Sequence, residues 1–231
     1  MSLVSLIRSL ADNKQLIGMR YAEWCTSAPS LEADIAAAAM GLDDLGHSRV
    51  LYGCVKEMGG NSEIGADRES YASVPFLDQP WTDWAQFVAA NAVLDTAFTL
   101  VLETLASGNV ELLRSRLRKM LHEERYHYLH GRSWMREARV NAAVKTAWRD
   151  AVEWFGPDGG DVDEAKTAGE LTLGAGELRA RLEDRLASRQ PKFEIDWKKW
   201  DPVRRRTRPG GIDDRTLEML RGLAEKRYMP A

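Results

Sequence analysis

Residues 120–131 read MLHEERYHYLHG. Of the chain's four histidines, His122, His127 and His130 all fall in this one stretch. Around it, Leu113, Leu117, Leu121, Tyr128 and Met135 recur at helical spacing, and with Met120, Gly131 and Trp134 they form one apolar stripe. Glu124 and His127 fall inside that stripe, three residues apart and so on one helix face. Glu123, Arg125, Arg118 and Arg132 fall away from it. His122 and His130 sit nearer its edge, where surface or packing roles are expected.

A second segment repeats the pattern. Ala37, Met40, Gly41, Ser48 and Leu51 share one face, and Asp44 and His47 interrupt it, again an acid and a histidine three apart. A third places Asp95 among Trp84, Phe87, Val88, Asn91, Phe98 and Leu102. A buried carboxylate is costly unless it is paired, hydrogen-bonded or bound to metal. Three of them on three inward faces need one shared explanation. Carboxylate-histidine pairs on two helices, with single acids on the other two, are the design of a dinuclear iron or manganese centre in a helical bundle.

Outward from these segments the periodicity is helical almost everywhere. Helix one is expected from about Leu3 to Cys25. Helix two starts at a Ser30 cap and runs to the Gly59-Gly60 stop. A polar crossover, Asn61 to Pro80, precedes helix three, which Thr82 opens with Asp83 in its first turn and Gly108 closes. Helix four runs from about Val110 to Arg139. Asn141 caps a shorter helix ending at Gly156-Pro157, and helical patches at 176–188 and 213–228 flank a loop-rich stretch, 190–211. Four long helices with a long crossover between the second and third predict an all-α, ferritin-like four-helix bundle with additional C-terminal helices. The whole chain, 1–231, reads as one domain, with a core at about 3–139 and an extension over 140–231.

Composition narrows the partners. A net charge of −3 over 231 residues gives no field that would attract nucleic acid or an acidic membrane surface. No run of about 18 apolar residues is evident, so no membrane span is expected. Cys25 and Cys54 are too few for a disulfide framework, and the first residues, MSLVSLIRSLADNK, do not read as a secretory signal. A cytoplasmic protein with reduced thiols is the expectation.

Helix one, the remaining helix of the four, breaks the pattern. Asp95 and Glu124 are 29 residues apart, and a similar step of 30 back from Asp44 reaches Lys14 rather than an acid. Lys14 lies in the stripe Leu6, Leu10, Ile17, Gly18, Tyr21 and should face inward. Three carboxylates and a protonated lysine carry −2, which one divalent ion would neutralise. Protonated histidines would remove the need for any ion, and a carbamylated Lys14 would restore a fourth carboxylate for two. All three states remain open to the sequence.

The stretch YAEWCTSAPSLEADIAAAAMGLDDLGHSRVLY resembles the bacterial multicomponent phenylacetyl-CoA epoxidase (phenylacetate-degradation) family. So do QPWTDWAQFVAANAVLDTAF, HEERYHYLHGRSWM and the closing GGIDDRTLEMLRGLAEKRYMP. That family pairs an iron-binding catalytic ferritin-like subunit with a shorter, non-catalytic partner. In length the chain is more similar to the partner. In ligands it is more similar to the catalytic subunit, because Asp44, His47, Asp95, Glu124 and His127 match five of its six metal positions, while Lys14 departs at the sixth.

The resemblance implies a monooxygenase subunit, an oxidoreductase component of aromatic acyl-CoA catabolism. It would hold one or two iron ions, manganese or no metal, and work with an external reductase and another ferritin-like subunit in a homo- or hetero-oligomer. Arg204, Arg205, Arg206 and Arg208 are candidates for CoA phosphates, against the simpler reading of a solvated basic loop. Two rivals stand beside this. One is a metal-free structural partner in which Lys14 pairs with the acids; the other is a stand-alone metal oxidase of the ferritin class.

Overall fold

The computed structural model describes residues 3–61, 71–135 and 141–226. These are helical, with no strand among them: α1 (Leu3–Ala22), α2 (Leu31–Glu57), α3 (Trp84–Ser107), α4 (Glu111–Arg116), α5 (Arg118–Trp134), α6 (Asn141–Phe155), α7 (Asp161–Thr167), α8 (Ala175–Leu186) and α9 (Asp214–Lys226). The architecture is the expected ferritin-like bundle of α1, α2, α3 and the α4–α5 pair, with α6 to α9 laid against it.

Local chemistry sets the helix ends. Ser30 caps α2 by accepting the Ala33 N–H, and Gly59, with φ +79°, takes the left-handed turn that stops it. Asp83 is the cap of α3 rather than a residue of its first turn: it accepts the Gln86 N–H, and the Gln86 side chain reaches back to residue 83 in a capping box. α1 ends at Ala22, three residues before the expected Cys25, in a series of turns. The fourth bundle helix bends at Leu117, and α7 adds to the expected elements. The ends expected at Arg139 and Tyr228, and part of the Asn61–Pro80 crossover, lie outside the described residues.

α1 is covered on nearly all sides, from Leu3 to Tyr21. Its neighbours reach in with polar groups as well as apolar ones. Trp154 Nε1 of α6 donates to Ser9 Oγ at 2.7 Å, and the buried Arg20 donates to Leu77 O and to Thr216 Oγ1 of α9. The crossover is fastened to the same helix. Ala72 N donates to Asp12 Oδ2 at 3.0 Å, Asn13 Nδ2 to Ala72 O at 2.6 Å, and Val74 N to Asn13 Oδ1 at 2.9 Å. Each of these side chains satisfies a backbone group that burial would otherwise leave unpaired.

Trp84–Ser107 is long and apolar enough to cross a membrane by composition, but 89 % of that window is buried in the protein. It is the core helix of the bundle, and it carries the inward-facing Asp95.

α1 and α2 cross closely at Gly18 and Gly41. A Cβ on Gly41 would stand 2.9 Å from Gly18 O, and one on Gly18 would stand 3.0 Å from Gly41 O. Both obstacles are backbone atoms, which cannot swing aside. This crossing sits one turn from Lys14 and from Asp44, so it sets the distance between them. Gly41→Ala is expected to push the helices apart at a cost of about 1–3 kcal/mol, read as a lowered urea midpoint.

Candidate functional site

Four helices deliver the predicted side chains to one buried point. α1 brings Lys14, α2 brings Asp44 and His47, α3 brings Asp95, and α5 brings Glu124 and His127; all six are buried. The ammonium of Lys14 lies among the acids. It donates to Asp44 Oδ1 at 2.8 Å and to Asp95 Oδ1 and Glu124 Oε1. Its three N–H groups thus meet three carboxylates, one each, and nothing on the cation is left unsatisfied. Thr99 Oγ1 donates to Glu124 Oε2 at 2.6 Å, and Tyr21 OH to Asp95 Oδ2 at 3.2 Å.

A widened turn of π-helix at Ala90–Asp95 interrupts α3 beside the cluster. Such turns insert a residue and re-aim those after it. α5 packs tightly on it: a Cβ on Gly131 would meet Ala92 Cα at 2.9 Å. Asn91, in the same turn, donates to His127 O and offers its Oδ1 to His130 Nδ1 at 2.9 Å. His130 therefore packs among Trp84, Phe87 and Trp134, and burial pushes it down to about 4, so it stays neutral. His122 is exposed. Neither joins the cluster, as the edge positions indicated.

The histidines form crossed pairs. His47 Nδ1 lies 2.9 Å from Glu124 Oε1, and its Nε2 lies 2.9 Å from Glu123 Oε2. His127 Nδ1 lies 2.9 Å from Asp95 Oδ2, and its Nε2 lies 3.5 Å from Asp43 Oδ2. Every ring nitrogen faces a carboxylate oxygen, so a neutral imidazole would turn a lone pair onto an anion. Both rings are therefore imidazolium. Burial works against that charge, but hydrogen bonds to Asp44 and Glu124 raise His47 to about 10. Glu124 and Asp95 hold His127 well above its ordinary value against the same burial.

The same balance fixes the lysine and the acids. Burial pulls the Lys14 ammonium down, yet Asp44, Asp95 and Glu124 outweigh it and keep Lys14 charged well beyond the usual lysine range. Burial opposes ionisation of Glu124 too, but Lys14, His127 and His47 hold it well below the carboxylate range. Asp44 moves the other way, raised by burial and by Asp95. Its Oδ2 has no hydrogen-bond partner, whereas both oxygens of Glu124 have partners, which explains why two acids on one lysine differ.

Three cations (Lys14, His47, His127) face three inner anions (Asp44, Asp95, Glu124), and the charge closes at zero. Asp43 and Glu123 add an outer carboxylate at the far nitrogen of each histidine. Sequence spacing sets Glu123 aside and passes over Asp43. The available signal is a repeated form, acid-acid-x-x-His, at Asp43-Asp44-x-x-His47 and Glu123-Glu124-x-x-His127. The first acid of each doublet serves the histidine of the other helix.

A metal ion fits the spacing of this cluster but not its occupant. Ligand atoms of Asp44, Asp95, Glu124 and His127 lie within 4.8 Å of one another. The space they surround is held by the Lys14 ammonium, which has no lone pair to give a metal. The inner histidine nitrogens are likewise bonded to carboxylates. In this arrangement the centre of the cluster is taken by a cation of the protein itself.

The arginine cluster is also placed differently from either expectation. Arg205 is buried, donates to Trp154 O at 2.7 Å, pairs with Asp161 and stacks on Trp200 at 5.2 Å. Arg206 is buried on Asp78 at 2.8 Å and on Ser73 O. Arg208 pairs with Asp150, and Arg204 donates to Gly210 O. These bonds clamp the 201–208 turn to α6, α7 and the crossover. They leave Arg205 and Arg206 no free face for a CoA phosphate, and the segment is not a solvated basic loop.

The chain matches the model of the phenylacetic acid catabolic protein family over residues 1–223. It belongs to that family. It is similar to one of the subunits of 1,2-phenylacetyl-CoA epoxidase from Escherichia coli (strain K12), at 26 % identity over 188 residues, covering 75 % of each chain. Within this family, the centre of the present bundle is a lysine, three inner acids and two histidines joined as one buried ionic network.

Proposed function

We propose that this chain is a structural partner subunit of a phenylacetyl-CoA epoxidase-type monooxygenase, and that Lys14 stands where an ion would otherwise sit. The carrying observation is the Lys14 ammonium donating to Asp44, Asp95 and Glu124 at once. The likeness to the Escherichia coli epoxidase subunit supports the assignment, as does the internal use of Arg205 and Arg206. The working complex would add a second ferritin-like subunit that holds iron, an external reductase and an aromatic acyl-CoA substrate. In it this chain supplies a rigid, charge-balanced bundle rather than redox chemistry. A metal-bound form, or a stand-alone oxidase, would require Lys14 to give up the proton that three carboxylates stabilise.

The test is elemental analysis of protein made in iron- and manganese-supplemented cells, native and Lys14→Glu side by side. The native chain is expected to carry essentially no metal, and the variant, with a fourth carboxylate and no ammonium, to take it up. One or more metal ions per native chain would overturn the proposal.

A further inference from the structure

The C-terminal extension carries a half-open cleft of about 540 Å³, lined by no member of the ionic centre. Sites for small molecules commonly occupy about 300–1,000 Å³. α6 contributes Trp148 and Val152, α8 contributes Arg179 and Glu183, and residues 189–193 complete the lining.

The chain turns sharply to make it. α8 ends at Leu186, and Ala187 takes the left-handed conformation, with φ +51°. Alanine seldom adopts it, because its Cβ crowds the following carbonyl. Such backbone persists where the surrounding structure over-determines it, and binding sites are a usual place. Two bonds hold the segment that follows. Gln190 N donates to Glu183 Oε1 at 2.8 Å, and Trp148 Nε1 donates to Pro191 O at 3.1 Å. The second bond also fixes the plane of the buried indole.

Three kinds of group border the cleft without satisfying one another. The first is aromatic, Trp148 and the exposed Phe193. Arg149, which does not line the cleft, lies over the Phe193 ring at 5.8 Å and steadies it. The second is cationic. Arg189 and Lys192 are exposed and have no ion pair among the described residues, not even with Glu183. Arg179 is already committed to Asp158 at 2.7 Å and to the Trp197 ring at 5.5 Å, so it adds a fixed positive charge. The third is an acceptor, Glu183 Oε2, since only Oε1 of that carboxylate takes the Gln190 N–H.

A ligand that satisfies all three has a flat aromatic ring, an N–H donor on it and more than one negative charge. Two free cations exceed what a single carboxylate needs, whereas a phosphate chain has oxygens for both an arginine fork and a lysine. We propose that this cleft binds an adenine nucleotide. The base lies against Trp148 and Phe193, its exocyclic amine donates to Glu183, and its phosphates meet Arg189 and Lys192. The site goes beyond the structural role proposed above and does not depend on the state of Lys14.

Isothermal titration calorimetry of the full chain, without divalent cations, tests it with ATP, ITP and inorganic triphosphate. ATP is expected to saturate at one per chain. ITP, in which an oxo group replaces the amine, should bind at least about tenfold more weakly, and triphosphate, which lacks the base, should be weaker by a similar factor. Arg189→Ala together with Lys192→Ala should weaken ATP by at least about tenfold. Phe193→Ala should weaken it by at least about fivefold. Glu183→Gln keeps an acceptor for the Gln190 N–H and should narrow the difference between ATP and ITP. The cationic and phenylalanine positions are exposed, and circular dichroism checks that each variant stays folded. No binding of ATP at millimolar concentration would overturn the proposal. Triphosphate binding as tightly as ATP would overturn it too, by making the cleft a patch for any polyanion. ATP binding that all of these variants leave unchanged would overturn it equally.

Discussion

Lys14→Met is expected to cost about 3–5 kcal/mol of folding stability, the penalty for removing one member of a buried ionic group while its partners remain. Methionine fills similar space, so the loss is electrostatic. Asp44, Asp95 and Glu124 would keep only the imidazolium charges of His47 and His127, and the inner cluster would move from zero to −1. Asp44 is the least supported acid, since its Oδ2 has no partner and burial already raises it. The double variant Lys14→Met, Asp44→Asn should therefore lose less stability than Lys14→Met alone, because it removes the acid with least other support. Urea denaturation of the four proteins in the cycle measures this. A double variant less stable than the single would mean that the lysine is not the common partner of the acids.

Raising the pH from 6.5 to 10 is expected to remove about 4–5 kcal/mol through His47 alone. The fold raises His47 from 6.5 to about 10, so its folded form holds a proton that the unfolded chain has lost. Its contribution is complete below pH 6.5 and fades as the pH climbs to 10. His127, also raised by its carboxylate neighbours, acts in the same direction. Asp12 and Asp150 are raised by burial to about 6, so their contribution is lost between their ordinary value and pH 6 and leaves the upper window clear. A series of urea midpoints should fall steadily above neutrality. His47→Gln should be less stable at pH 6.5 and show a shallower decline. A variant with the native slope would mean that His47 is neutral in the folded protein.

Much of the centre is legible in the sequence because helices announce their faces. The three-residue spacing of Asp44 with His47 and of Glu124 with His127 needs only the helical period, as does the inward register of Lys14 and Asp95. What the period does not carry is contact between helices. Glu123 lies off the apolar stripe of its own helix, yet meets His47 across the groove, and Asp43 does the same for His127. The protonation of Lys14 also stays open in one dimension, since three charge states fit the count. Arg205 and Arg206 escape a sequence reading because 190–211 has no period, so nothing in it marks an inward side chain. The π turn at Ala90–Asp95 leaves no mark either, since the inserted residue does not change the run of mostly apolar residues around it.

The bonds from Asp12 and Asn13 to Ala72 and Val74 bear on how the molecule breathes. A connection this long would ordinarily open by itself, exchanging its amide protons at a small fraction of the global unfolding energy. Here the Ala72 and Val74 amides are held by side chains of the most enclosed helix, and Tyr71 OH adds a bond to Asp12 O. Those amides can be released only when α1 itself gives way. The described end of the crossover thus belongs to the same cooperative unit as the helix that carries Lys14, and the bundle cannot loosen there without disturbing its ionic centre.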